Sequence, residues 1–542
     1  MTPERLELNE FGPYTDPQTV DFGELGARQL FLIHGATGSG KSTLLDAICF
    51  ALYGETSGSE RDGDEMRSDF ATPEDPTEVT LDFRLGGQRY RVRRRPQQEL
   101  AKQRGEGTTR KSEKATLYDR SEVGTTEEDG EPVADGKRDV DGAVEDETLQ
   151  GNLIVRGAGD PTIGGYEQRR DPTQVFRRWA DSLRARGITR IDGNIVGDDS
   201  RLDETPLGHG WSWSDIPFSY AAEIGGLVFN ENTVDLQAEG REVGQPARLS
   251  WDPFRTDYVT VVNRSKTVSY RDEEDEEDER RMGTNTIHVK SRIHPNGRDT
   301  ESLTVSNPTL YFVDTLREVL LQEGISIDGR AADLDETALN VRYDSPAVRR
   351  VASYTSPPLS DIAQTLNHQS QNLYAEQLLR TLAVEVPPDT DEDLSPGSSA
   401  LGVKAVRETL VEAGVDTSRV QLADGSGLSR QNLVRPTSLV KLLRHMWDHP
   451  DPGVRAAFYD SLPRGGRDGT LKYRFQGAAP ARSNVRAKTG TLSNMSALSG
   501  YVTSGAGAPL AFSVFCNHHL ADSDQVRSAQ DVIVNALARL PL

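Results

Sequence analysis

Cysteine is nearly absent from this chain, with two in 542 residues, Cys49 and Cys516. Both lie in apolar runs, AICFAL and FSVFCN. That predicts two buried free thiols and excludes a disulfide framework or a cysteine metal cluster. Lysine is scarce too, supplying 11 of the 62 basic residues. Against 85 acidic residues the formal charge is −23. Such a charge disfavours non-specific binding to DNA or anionic membranes, though it allows a local basic patch. An acidic, lysine-poor surface suits a salty cytoplasm; a GC-rich genome with ordinary acidic loops explains it equally well. No apolar run approaches the roughly 18 residues of a membrane helix, and the mean hydropathy is −0.59. The opening MTPERLELNEFGPY has no basic segment followed by an apolar one. It is not a secretory signal, so a cytoplasmic location is expected for the chain as encoded. The length suffices for about three or four domains.

What is present begins at residue 29. QLFLIH (29–34) reads as a strand, GATGSGKS (35–42) as a glycine-rich loop, and STLLDAICFALYG as a helix ending at Gly54. Strand, loop and helix in that order are the context of a phosphate-binding loop. Gly35, Gly38 and Gly40 let backbone N–H groups turn toward phosphate oxygens, and the helix N-terminus adds positive potential. Lys41 would reach the β/γ-phosphates of ATP, Ser42 would hold Mg²⁺, and Thr43 completes the nucleotide-binding set. Residues 6–14, 77–85 and 88–96 read as further strands. The last carries Arg89, Arg91, Arg93, Arg94 and Arg95. It is either a contact for DNA phosphates or an edge strand protected by charge.

LELNEFGPY, FLIHGATGSGKSTLLDAICFALYG, MRSDFA and YRVRRRPQQELAKQRGEGTT resemble the N-terminal ATPase lobe of the SbcC family of exonuclease proteins. The resemblance covers residues 1–118 and implies a bound nucleotide, with DNA and a nuclease partner if the lobe is functional. Members of that family continue into a coiled coil and a second lobe with a signature motif and an acidic pair. This sequence contains neither, so turnover of ATP by the lobe alone is not expected.

Composition shifts near residue 120. Residues 119–147 read as an acidic linker without periodicity. Strands are expected at 149–157, in IDGNIVGDD, TVDLQ and YVTVVN, and a helix at 172–187. The eight consecutive acids from Asp272 to Glu279 read as a disordered hairpin tip rather than a calcium site, because no ligand spacing supports one. Helical periodicity returns in PTLYFVDTLREVLLQEG, NLYAEQLLRTLAVE, SSALGVKAVRETLVEAG and PTSLVKLLRHMW. Strands follow around AKTG, ALSGYVT and LAFSVFCN, then a last helix at 521–539.

LQGNLIVRGAGDPTIGG, IDGNIVGDDSRLD, GWSWSDIPFSYAAEIGGLVFNENTVDL, SQNLYAEQLLR, DGSGLSRQNLV and RAKTGTLSNMSALSGYV resemble the D-alanyl-D-alanine carboxypeptidase/endopeptidase family, the class C low-molecular-mass penicillin-binding proteins. The resemblance implies inserted β-rich domains at 148–340 and a transpeptidase-like catalytic domain at 341–542. The whole is then an α/β multidomain protein: a partial P-loop ATPase lobe fused to a β-lactamase-like α/β sandwich. The resemblance also implies acyl transfer on peptidoglycan peptides, reactivity with β-lactams and a cell-envelope setting. Ser370, in Ser370-Gln371-Asn372, would relay a proton to the leaving amine, and Asn372 would hold the substrate amide. In Lys488-Thr489-Gly490, Lys488 and Thr489 would bind the substrate carboxylate and Gly490 would leave space for it. The N–H of Thr491 would form half of the oxyanion hole. His368 stands where the family usually has a lysine, and Asp424 and Ser426 read as a tight hydrogen-bonded turn.

The family's nucleophile motif, SxxK, lies upstream of the inserted domains. That place is taken here by SbcC-like sequence. Among all serines, only Ser438 has a lysine three residues on, Lys441. It falls in a helix on the wrong side of the SxN motif. A serine-enzyme reaction is therefore expected to be impaired, since loss of such a nucleophile costs roughly a million-fold in turnover. A muropeptide-binding role without catalysis is the alternative. The string ATLYDR at 115–120 marks the join, as in a chimeric reading frame.

Overall fold

The computed structural model describes residues 2–25, 40–57, 63–85, 88–102, 107–120, 130–135, 148–252, 256–269, 278–345, 348–389 and 394–542. The expected strand at 29–34, Gly35 and Gly38 lie outside them.

The first region is an antiparallel sheet with a helix on one face. Its strands are β1 (Thr2–Asn9), β2 (Gln18–Asp21), β3 (Glu78–Leu85), β4 (Gln88–Arg95), β5 (Lys114–Asp119) and β6 (Glu131–Asp135), in the order β2-β1-β3-β4-β5-β6. Alternation puts Leu6, Leu8, Val79, Leu81, Val92, Ala115 and Leu117 on one face. Ala47, Phe50 and Ala51 of helix α1 (Lys41–Tyr53) close over them. Gly54 ends α1 with a φ of 76° and donates its N–H to the Phe50 carbonyl. The stretch expected to be a linker thus contributes β6, hydrogen-bonded to β5.

β4 is an inner strand of this sheet, not an edge, and its arginines are occupied. Arg91 and Arg120 both bond the Asp82 carboxylate. Arg94 is fully buried, with Glu113 at 2.9 Å and the carbonyls of Ala51 and Leu52 at 3.2 Å. Arg89 pairs with Glu4, and Arg93 and Arg95 pair with Glu78. Both readings of this strand, phosphate contact and protected edge, give way to internal charge pairing.

The middle region is less purely β than expected. β7 (Leu153–Arg156), β8 (Ile195–Asp198) and a late strand, Ala331–Asp333, form a parallel sheet. Helices α2 (Gln174–Arg184) and α3 (Pro308–Gln322) pack with it around Phe176, Phe229 and Phe312. An antiparallel sheet of β9 (Thr233–Glu239), β10 (Arg248–Asp252) and β11 (Arg298–Thr304) follows; the late strand Ala331–Asp333 is β12. The end of the acidic run is anchored: the buried Asp278 accepts the N–H groups of Lys290 and Ser291. The rest of the run, 272–277, lies outside the described residues.

The last region holds helices α4 (Leu359–Gln369), α5 (Asn372–Glu385), α6 (Ser399–Glu412), α7 (Pro436–Trp447), α8 (Pro452–Ser461) and α9 (Ser523–Leu537). Among them stands the antiparallel sheet of β13 (Arg486–Leu492), β14 (Met495–Thr503) and β15 (Pro509–Asn517). Leu498, Val502 and Phe512 pack under Val534 of α9. Tyr501, on the opposite face, packs with Leu443 of α7 and donates its hydroxyl to the Leu443 carbonyl. α4 and α8 were not expected from the sequence. Cys49 and Cys516 are free but only half-buried, less enclosed than their apolar surroundings suggest.

Candidate active site

The site is built where α4 meets α5. α4 ends at Ser370, which takes a left-handed conformation at φ 59° and ψ 47°. Such a conformation costs a non-glycine residue about 1–2 kcal/mol. Two backbone donors hold it: the N–H groups of Ser370 and Gln371 both reach the Leu366 carbonyl. Gln371 is anchored further, its side chain donating to Glu231 at 2.6 Å. Glu231 sits in an Asn230-Glu231-Asn232 run in which all three residues have positive φ. Burial raises the Glu231 pKa. Asn372, the first residue of α5, donates its side-chain amide to the Tyr220 carbonyl at 2.8 Å.

α5 is buried nearly all round, at Leu373, Tyr374, Glu376, Gln377, Leu379, Arg380 and Ala383. It therefore fixes the serine from inside the domain. Glu376 accepts the N–H groups of Gly425 and Ser426. Asp424 accepts from Trp211, Gly427, Ser429 and Asn432. Both acids organise a turn, as expected of Asp424 and Ser426.

β13 brings the second motif. Lys488 Nζ donates to Ser370 Oγ at 2.6 Å and to the Thr489 carbonyl at 2.7 Å. Burial pushes the Lys488 pKa down to about 8. Thr489 donates its hydroxyl to Thr470 at 3.0 Å. A Cβ on Gly490 would meet only the Ala497 side chain at 3.6 Å, so the strand is open there.

β13 is an edge strand. Its outer side is marked by the Ala487 N–H bonding the Pro463 carbonyl. Backbone groups alternate sides along an antiparallel strand, so Thr489 and Thr491 present theirs to the same free edge. An extended peptide can add there as a further strand.

The structure thus brings Ser370 and Asn372, at the α4–α5 junction, together with Lys488, Thr489, Gly490 and Thr491 of β13. His368, near the motif, lies 4.0 Å from Asp468. Ser438 is buried on α7, while Lys441 is exposed and donates to the Gly414 carbonyl; they form no dyad with each other. Sequence reasoning missed Glu231, Tyr220 and Thr470. Only the Asn-Glu-Asn run carried a signal, since asparagine tolerates left-handed backbone.

At the other end of the chain, Gly40 precedes α1 with a φ of 81° and accepts the Tyr14 hydroxyl at 3.1 Å. A Cβ there would lie 2.4 Å from that hydroxyl, so only glycine fits. Lys41, Ser42 and Thr43 open the helix, which has no side-chain cap and no acid in its first turn. A helix N-terminus of this kind, with its positive dipole end, suits a phosphate.

Two family models match the chain. The model of the D-Ala-D-Ala carboxypeptidase 3 (S13) family matches residues 137–540, and that of an AAA domain matches residues 5–135. The D-alanyl-D-alanine carboxypeptidase of Actinomadura sp. is 30% identical over 399 residues, 71% of this chain and 69% of that protein. The SbcC component of the SbcCD nuclease of Vibrio cholerae is 58% identical over 117 residues, 22% of this chain and 12% of that protein. The chain therefore spans about an eighth of the SbcC relative. The crystal structure of penicillin binding protein 4 from Haemophilus influenzae superposes with a TM-score of 0.60 at 23% identity, over 73% of this chain and 84% of that one.

Proposed function

The chain belongs to the D-Ala-D-Ala carboxypeptidase 3 (S13) family, and from that premise we propose that it recognises peptides ending in D-alanyl-D-alanine, and the β-lactams that resemble them, along the free edge of β13. Lys488 and Thr489 take the terminal carboxylate, Asn372 holds the peptide amide, and the Thr491 N–H faces the carbonyl to be attacked. The observation that supports this reading is the 2.6 Å contact between Lys488 and Ser370, two motif residues 118 positions apart. Lys488 has no carboxylate partner among the described residues, so its positive charge remains for an anionic substrate. Hydrolysis in the family manner is impaired, because no SxxK serine stands in the family's place, upstream of the middle region. The setting expected of the substrate is the cell envelope.

Calorimetric titration with a peptide ending in D-Ala-D-Ala tests the reading, against the same peptide ending in L-Ala-L-Ala. Binding of the first alone, lost in Lys488→Met, is expected. Equal or absent binding of both overturns it.

A second reading concerns residues 1–118, where the AAA match suggests nucleotide binding. Lys41 and the uncapped start of α1 would hold the phosphates of ATP, with Ser42 as ligand to Mg²⁺. A fluorescent ATP analogue should bind the wild type and not Lys41→Ala. A nuclease partner or DNA is called for only if this lobe is functional, and the paired arginines of β4 offer such a partner little free charge.

A further inference from the structure

The sequence lacks the family's attacking serine, yet the site holds another serine hydroxyl against a lysine amine. Ser370 Oγ and Lys488 Nζ, 2.6 Å apart, stand within the range for direct proton transfer. Both residues are half-buried, so a ligand can reach them. Apart from this hydroxyl, Lys488 donates among the described residues only to the Thr489 carbonyl. Near the motif, His368 of α4 and Asp468 of the loop before Thr470 lie 4.0 Å from each other. Burial brings the amine to a pKa of about 8, so about half of it is neutral at that pH. A neutral amine is a base.

Two features favour charge on the serine side. Asn372 and Leu373 open α5, where N–H groups have no acceptor within the helix. The positive end of the helix dipole therefore lies next to Ser370. The Thr491 N–H faces the free edge of β13, where a carbonyl oxygen developing negative charge would lie.

We propose that Ser370 is itself an acyl acceptor, with Lys488 as its base, for strained acyl donors of the β-lactam class. Ser370 Oγ attacks the lactam carbonyl carbon and its proton passes to Lys488 Nζ. The tetrahedral intermediate collapses by breaking the ring C–N bond, and Lys488 returns the proton to that nitrogen. The product is an ester on Ser370 carrying the opened ring, and no other reactant is consumed. The proposal rests on the binding reading above and adds a reacting atom to it.

The test is incubation of the full chain with benzylpenicillin at pH 8, read by intact mass and by tryptic mapping, alongside the D-Ala-D-Ala titration. One adduct with the mass of the β-lactam is expected, on Ser370 in the peptide 351–380. Ser370→Gly removes the hydroxyl while suiting the left-handed backbone, and should abolish the adduct. Lys488→Met should slow its formation ~100-fold or more. Ser438→Ala should leave it unchanged. Protein that binds the peptide but gains no adduct overturns the proposal and leaves the binding reading standing. An adduct on another residue, or one that persists in Ser370→Gly, overturns it as well. Absence of both binding and adduct sinks the two together.

Discussion

The arginines of β4 and Lys488 of β13 treat charge in opposite ways, while Arg486, the other cation of β13, pairs with Asp460 as the β4 arginines pair with their acids. On β4 every arginine from Arg89 to Arg95 meets a carboxylate. On β13 Lys488 meets a hydroxyl and a carbonyl. The guanidinium of Arg94 is fully buried, yet it has Glu113 and two carbonyls. The Lys488 amine, with no opposite charge to offset its desolvation, loses basicity instead. A cation that holds a fold together is paired within the fold. A buried cation without an opposite charge is left short of a partner, at a cost in stability.

The largest expected effect comes from breaking the paired side. Arg94→Ala strands Glu113 and two carbonyls in the interior, and should destabilise the first region by about 3–5 kcal/mol. Urea denaturation measures it; a change under about 1 kcal/mol would mean the pair is not structural.

The unpaired side should respond with the opposite sign. Lys488→Met removes a poorly solvated amine and should stabilise the protein by up to about 3 kcal/mol at pH 7, while abolishing peptide binding. The sign follows from the depressed pKa: above the unfolded value of about 10.4 the lysine is neutral in both states. As pH falls through about 8 the folded state must accept a proton it disfavours. The gain from Lys488→Met should therefore be full below pH 8 and vanish above about pH 10.4. Thermal melts across that range check it, and a gain independent of pH would remove the charge from the explanation.

The smallest effect belongs to the rim of β4. Arg95 is nearly half exposed beside Glu78, so Arg95→Ala should cost under about 1 kcal/mol and less as salt rises. A cost equal to that of Arg94→Ala would erase the distinction between buried and surface pairing.

Much of this was legible in the residues. PTLYFVDTLREVLLQ is amphipathic and begins with proline after asparagine, and it forms α3 with Asn307 as its cap. Gly54 and Gly187 end helical segments where their φ values are positive. The SQN and KTG motifs are both in the site, within hydrogen-bonding reach of each other. Other features were not legible. Nothing local says that strands beginning at Leu153, Ile195 and Ala331 lie side by side, because parallel pairing joins distant segments. Arg91 and Arg94 look like a basic stripe until Asp82 and Glu113 are brought against them.

The sequence by itself determined which residue types are available: a P-loop pattern, an SxN and a KTG, and no SxxK serine in the family's place. Those are facts of covalent order, and folding cannot alter them. Only the tertiary structure decided which charges are neutralised and which meet neutral groups alone. Pairing and desolvation depend on distances between residues far apart in the chain. The 2.6 Å between Ser370 and Lys488 is such a distance, set by a buried helix on one side and the edge of a sheet on the other.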